Sequence, residues 1–249
     1  MSVVKKFAAL AVTAALSVTL VACGGSSGSG GNASDTAKSL AEQVQYNPQP
    51  YDNLKNGGTL TTALPEISTQ WNIFQGNATG YSQNLWNWYN PILSTSSADG
   101  TVTFNPDYLT NVKADTVKGN TRITYTINPK ATYNDGSPID WASFRATWKA
   151  DNAQDKAYIV LSSDGYDRIA SVTKGVDDRQ AIVTFNGVNV WWQGLFGGLL
   201  NPEALDPQVF NKGYIDTPHP EWGAGPYTVR KFDKSNGAVV FARNPKWWG

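Results

Sequence analysis

The chain has 249 residues, with twenty basic and twenty acidic side chains and one histidine, so its formal net charge is zero. That balance gives no reason to expect a polyanion such as nucleic acid as a partner. A single cysteine rules out an internal disulfide framework, so stability has to come from packing, for which ten Trp, eleven Tyr and nine Phe supply large apolar faces.

Lys5 and Lys6 precede an uncharged run from Phe7 to Ala22, which closes as Leu20-Val21-Ala22-Cys23. A positive start, an apolar middle and small residues before the cut are the parts of an export signal over residues 1–22. The ending resembles the lipobox of bacterial lipoproteins. That resemblance implies that the Cys23 thiol carries diacylglycerol and becomes the first mature residue, holding the protein at the extracytoplasmic face of the cell membrane. Two or three acyl chains make a firm anchor, because each buried methylene contributes about 0.8 kcal/mol. Gly24 to Gly31 is all Gly and Ser, and polar residues continue to Asn56; residues 23–56 therefore read as the acylated Cys and a flexible linker. Some thirty residues of such coil have an r.m.s. span of roughly 30 Å. No later apolar segment reaches membrane-spanning length.

The folded body is expected over residues 57–249, long enough for one sizeable or two small domains. Thr59 to Leu64 alternates after Gly57-Gly58 and stops at Pro65, which reads as a short strand. Tyr81, Leu85, Trp88 and Tyr89 lie at helical spacing before Pro91. Arg122 to Asn128 is a half-buried strand with Ile123, Tyr125 and Ile127 on one face. Tyr133-Asn134-Asp135-Gly136-Ser137-Pro138 is a dense turn signal, after which Asp140 sits where an N-cap belongs, with Trp141, Phe144 and Trp148 behind it. Asp177-Asp178 turns into a strand over Ala181 to Phe185. Trp191 to Leu200 is nearly all apolar and reads as a buried helix, weakened by Gly194, Gly197 and Gly198. Gly223-Ala224-Gly225-Pro226 opens a hairpin of Tyr227–Phe232 with Ala238–Arg243. Strands and helices mix without strict βαβ alternation, so the class is α/β or α+β with a mixed sheet.

Little of this supports catalysis. His219 lies between Pro218 and Pro220 with no His or Cys beside it, which favours a structural loop residue over a metal ligand or a triad member. Glu66, Asp135, Glu203 and Glu221 are the carboxylates a glycoside hydrolase would draw on. Asp135 is better explained by its Asp-Gly turn, while Glu66 follows a predicted strand end, where a polar group often faces a cleft. The Gly-rich turn lacks the Lys-Ser/Thr of a phosphate loop, and Pro226 removes a donor. No catalytic residue, metal or cofactor is expected. The paired tryptophans, Trp191-Trp192 and Trp247-Trp248, suit walls of a ligand cleft as well as a core.

Three stretches together resemble a known family: Thr59–Leu64 with Pro65-Glu66; Tyr125-Thr126-Ile127 leading to Tyr133–Asp140; and Gly223–Tyr227 with Arg243-Asn244-Pro245-Lys246-Trp247-Trp248. They are similar to the solute-binding lipoproteins of ABC importers, oligopeptide-binding class. The resemblance implies a type II periplasmic-binding-protein-like lobe, an α/β fold that here stops before the second main lobe. It also implies a mechanism without chemistry: two lobes close on a peptide or similar solute, and the closed form is presented to ABC permease subunits. Leu64, Pro65 and Glu66 are carried over as cleft residues, and Trp191, Trp192 and Trp222 are added from aromatic content. Two rivals stand beside this reading. One is an envelope lipoprotein binding a glycolipid or cell-wall precursor; the other is a secreted hydrolase working through Glu66.

Overall fold

The computed structural model describes residues 49–97 and 99–249. The expected export signal, Cys23 and most of the expected linker lie outside the described residues.

Helix α1, Gly80–Tyr89, starts where the Thr79 hydroxyl accepts from the Tyr81 and Ser82 amides. The Ser82 hydroxyl in turn accepts from the Thr79 amide at 3.0 Å, so two otherwise unpaired donors are satisfied reciprocally. It turns Leu85, Trp86 and Tyr89 inward and ends at Asn90, before a proline that disfavours further helix. A small hairpin follows, β1 (Ser94–Ser96) with β2 (Val102–Phe104). Strands β3 (Leu109–Val117), β4 (Asn120–Ile127), β5 (Ile169–Lys174) and β6 (Gln180–Phe185) form a sheet in the order β3-β4-β6-β5. Every described ladder runs antiparallel. Helix α2, Trp141–Asp151, is capped by the Asp140 carboxylate, which accepts from the Ala142 amide at 2.7 Å. The hairpin β7 (Tyr227–Asp233) and β8 (Ala238–Arg243) is the last regular element of the described residues.

Two cores result. In the first, Ile123, Tyr125 and Ile127 of β4 and Ala181, Val183 and Phe185 of β6 meet Phe144 of α2; the Tyr125 and Phe144 rings are 4.9 Å apart. The second gathers Trp71, Phe74, Leu85, Trp86, Tyr89, Phe210 and Tyr214, with Phe232 and Phe241 of the last hairpin packed on it. Ala150 belongs to the second core and Phe144 to the first, so α2 joins them.

Two sequence expectations are overturned. Residues 59–64 form no strand and are exposed apart from a partly buried Leu64. An alternating pattern becomes a strand only beside a partner edge, and the first pairing of this region is the single bridge between Gln70 and Ile215. Trp191 to Leu200 is not a helix either: one 3-10 turn, Trp192–Gly194, gives way to a loop that buries Leu195, Phe196, Leu199 and Leu200. Phe196 sits at φ 56°, which helical backbone excludes. Among the described residues no helix is long and apolar enough to cross a membrane.

Candidate functional site

The motifs of the second and third stretches converge on one junction. The C-terminal carbonyl of α1, on Tyr89, accepts from the amides of Ala224 and Gly225 at 2.9 and 2.8 Å. Both glycines are there because the backbones touch: a Cβ on Gly223 would lie 2.6 Å from the Tyr89 oxygen, and one on Gly225 would lie 2.9 Å from its carbonyl carbon. The Tyr108 hydroxyl donates to Ala224 O at 2.7 Å. Asn134, from the turn before α2, donates through its amide N–H to Gly223 O and through Nδ2 to Pro220 O, both at 2.8 Å. Asn244, after β8, donates through Nδ2 to Asn134 Oδ1 at 2.9 Å and to Gly225 O at 2.8 Å. Lys246 Nζ donates to Asn134 O, and the Trp248 indole N–H donates to Asp107 O at 2.9 Å. This is a weld between the two cores.

A second polar network holds irregular backbone just after Leu64-Pro65-Glu66. Gln70, Asn72 and Gln75 are almost completely buried. Gln70 Nε2 donates to Gln75 Oε1 at 3.2 Å, and Gln70 Oε1 accepts from the Asn72 amide at 2.9 Å. Asn72 Nδ2 donates to Phe210 O at 3.0 Å, and Gln75 Oε1 accepts from the Asn77 amide at 2.7 Å. Side-chain amides thus do what a ladder does elsewhere, and the loop is rigid without regular structure. The sequence reading missed these three residues. Their only signal was amides recurring through a stretch with no apolar period.

Glu66 is exposed and has no hydrogen bond or ion pair among the described residues, while Leu64 and Ile67 pack on the second core. Where this segment turns inward, Ile67, Thr69, Asp216, Phe232, Lys234 and Gly237 line a groove of about 210 Å3, bridged by Lys234 Nζ to Asp216 Oδ2 at 2.6 Å. That is below the usual range of about 300–1,000 Å3 for a small-molecule pocket.

Trp222 packs on the same second core. It stacks on His219 with centroids 4.1 Å apart and planes 15° apart. His219 Nδ1 lies 2.7 Å from Glu221 Oε1, and Nε2 lies 3.1 Å from Gly213 O. The histidine is a loop clip at φ 48°, flanked by prolines. Trp191 and Trp192 are elsewhere: Trp192 packs on the first core, stacked on Phe104 at 5.8 Å, and Trp191 stands in solvent. The six proposed cleft residues therefore fall into two separate groups.

Of the carboxylates, Asp135 is spent on its turn, accepting from the Ser137 amide and hydroxyl. Asp151, at the end of α2, is only 3% exposed and its Oδ1 has no partner among the described residues. Burial pushes its pKa up to about 8, so at neutral pH it is held largely as the neutral acid. No group of three or more His, Cys, Asp or Glu that could hold a metal comes together among the described residues.

Against known proteins, residues 89–249 match the family described as bacterial extracellular solute-binding proteins, family 5 Middle. Over 221 residues the chain is 35% identical to the oligopeptide-binding protein OppA of Mycobacterium tuberculosis, covering 86% of this chain and 37% of that protein. Over 129 residues it is 30% identical to a probable monoacyl phosphatidylinositol tetramannoside-binding protein, LpqW, of the same species, covering 51% of this chain and 20% of that one. Among solved structures, the periplasmic EDTA-binding protein EppA superposes with a TM-score of 0.65 at 26% identity, covering 73% of this chain and 35% of that one. The fold is that of a type II periplasmic-binding-protein lobe, and the chain spans little more than a third of the length of the relatives it matches.

Proposed function

Because the chain belongs to the family 5 bacterial extracellular solute-binding proteins, we propose that it serves an ABC importer by capturing peptides outside the cytoplasm for delivery to permease subunits. The observation that carries this reading is the 35% identity to an oligopeptide-binding protein over 86% of the chain. The work is binding and presentation: two lobes close around an extended solute, and closure is what the permease reads. No step needs an acid, a base or a nucleophile. On this reading Leu64, Pro65 and Glu66 face the solute, held by the Gln70–Asn72–Gln75 network behind them. Trp222 lies on the same core and is the best placed of the tryptophans. Cys23 carries the lipid that keeps the protein at the membrane.

The test is thermal-shift titration of the protein purified from its own cells. Defined peptides raise the melting temperature, and a phosphatidylinositol mannoside does not. The converse would favour the second reading, a glycolipid-binding envelope lipoprotein, which the similarity to the tetramannoside-binding protein supports over about half of the chain. Exchange of Cys23 for Ser moves the protein from the detergent phase to the aqueous phase; unchanged partitioning would exclude the lipid.

A further inference from the structure

Val188, Val190 and Trp191 are exposed to 66%, 68% and 82%, three apolar side chains within four positions on the loop that follows β6. The loop is not slack. The Thr121 amide donates to Gly187 O, the Gly187 amide to Asn120 Oδ1 and the Asn189 amide to Thr121 Oγ1, each at 2.9 Å. Asn189 Oδ1 then accepts from the Trp191 amide at 2.9 Å. The start of β4 thus fixes the backbone while the apolar side chains stand in water, which calls for an occupant. Between this loop and the β3–β4 hairpin lies a hollow of about 340 Å3, lined in part by Thr116, Thr121, Val188, Val190 and Trp192. The hairpin turn carries Lys118 at φ 52°, exposed and in no ion pair among the described residues. Its neighbours Lys113 and Arg122 are engaged by Asp115, at 3.2 and 3.7 Å.

The size and chemistry of the patch select the occupant. Three side chains fall far short of the roughly 800 Å2 per partner of a stable protein interface. A bilayer surface needs no such area: an indole ring settles at headgroup level beside a few aliphatic groups, and a free lysine adds attraction to anionic headgroups. Twenty-six positions separate Cys23 from the first described residue, so a lipid on that cysteine keeps the body near the membrane that holds it. We propose that the Val188–Trp191 loop, with Lys118, docks on the headgroup region of an anionic bilayer. The proposal goes beyond solute binding and does not depend on it.

The experiment uses the full chain with Cys23→Ser, so that acylation plays no part and the only cysteine present is the one introduced for labelling. A single cysteine is introduced as Val190→Cys and labelled with an environment-sensitive dye. The control is Val176→Cys, a residue of the same type that is 88% exposed in the turn between β5 and β6. With phosphatidylglycerol-containing vesicles the Val190 label shifts to the blue and is quenched by spin-labelled lipid, and the Val176 label is unaffected. The shift shrinks on pure phosphatidylcholine and is lost with Trp191→Ser plus Lys118→Gln, surface changes whose far-UV spectrum stays that of the parent. Equal responses at both positions, or none at position 190, overturn the proposal. So does a shift without vesicles that grows with protein concentration, which would mean self-association, or one that needs other membrane proteins, which would mean a protein partner.

Discussion

Exchange of Asp151 for Asn tests the electrostatics of the interior most directly. The carboxyl sits at the end of α2, 3% exposed, with one oxygen unpartnered among the described residues, and burial holds its pKa near 8 against an ordinary value near 4. Between these two values the unfolded chain has released this proton and the folded chain has kept it. The unfolded state then binds fewer protons, so stability falls as pH rises, by about 1.4 kcal/mol per pH unit. By pH 7 the accumulated loss is on the order of 4 kcal/mol, and above pH 8 this contribution is flat. Asn has the same shape and no charge to desolvate. Urea unfolding followed by circular dichroism from pH 4.5 to 8.5 therefore gives a parent whose stability declines relative to the variant, the two lines parting by several kcal/mol. Only the difference in slope is used, because it cancels Asp140, whose pKa burial also raises. Parallel lines between pH 5 and pH 8 would refute the reasoning and mean that water or a partner reaches the carboxylate.

Three further predictions concern local geometry. Gly225→Ala and Gly223→Ala force a methyl group against the Tyr89 carbonyl and lower stability by about 1–3 kcal/mol each. Gly80→Ala, in the first turn of α1 with open space around it, is neutral or stabilises by up to about 1 kcal/mol in the same melts. Thr79→Ala removes the hydroxyl that accepts from two α1 amides and costs about 1 kcal/mol, measured as a shift in the urea midpoint at constant slope.

What was legible in the sequence was what local physics decides. Helix α1, helix α2, the inner strands β4 and β6 and the last hairpin all carry a clean period with a cap or turn residue at its end, and they formed as expected. Strands β3 and β5 went unread because they are the outer strands of the sheet. Lys113 and Asp115 of β3 and Thr173 and Lys174 of β5 keep polar groups in solvent, which blurs the two-residue period. The converse error was Thr59 to Leu64, where the period is present and no edge is there to pair with. Trp191 to Leu200 misled because burial of Leu195, Phe196, Leu199 and Leu200 by a loop and by a helix leaves the same apolar composition. The buried amides of Gln70, Asn72 and Gln75 were beyond reach, since a polar side chain becomes a core residue only through partners such as Phe210 O and Asn211 O, well over a hundred residues away.

On the proposed reading, the residues that identify the family and the residues that would face the solute are separable, and the hydrogen bonds say why. Asn134 commits its amide N–H, carbonyl, Nδ2 and Oδ1 within the junction, and Asn244 commits its N–H, its Nδ2 twice and its Oδ1. Every polar atom of these two side chains is already engaged within the junction. Glu66 has no internal partner among the described residues, so its whole bonding capacity is open. Asn244→Ala accordingly leaves Gly225 O and Asn134 Oδ1 without their donor and lowers stability by about 1–3 kcal/mol, with the order of preference among peptides unchanged. Glu66→Gln leaves the melt unchanged and weakens binding of peptides with a free amino terminus roughly tenfold, because a charged hydrogen bond becomes a neutral one. Titration calorimetry with free and N-acetylated peptides reads both effects. If Asn244→Ala altered the ranking, or Glu66→Gln weakened both peptide forms equally, the division between weld and cleft would be wrong.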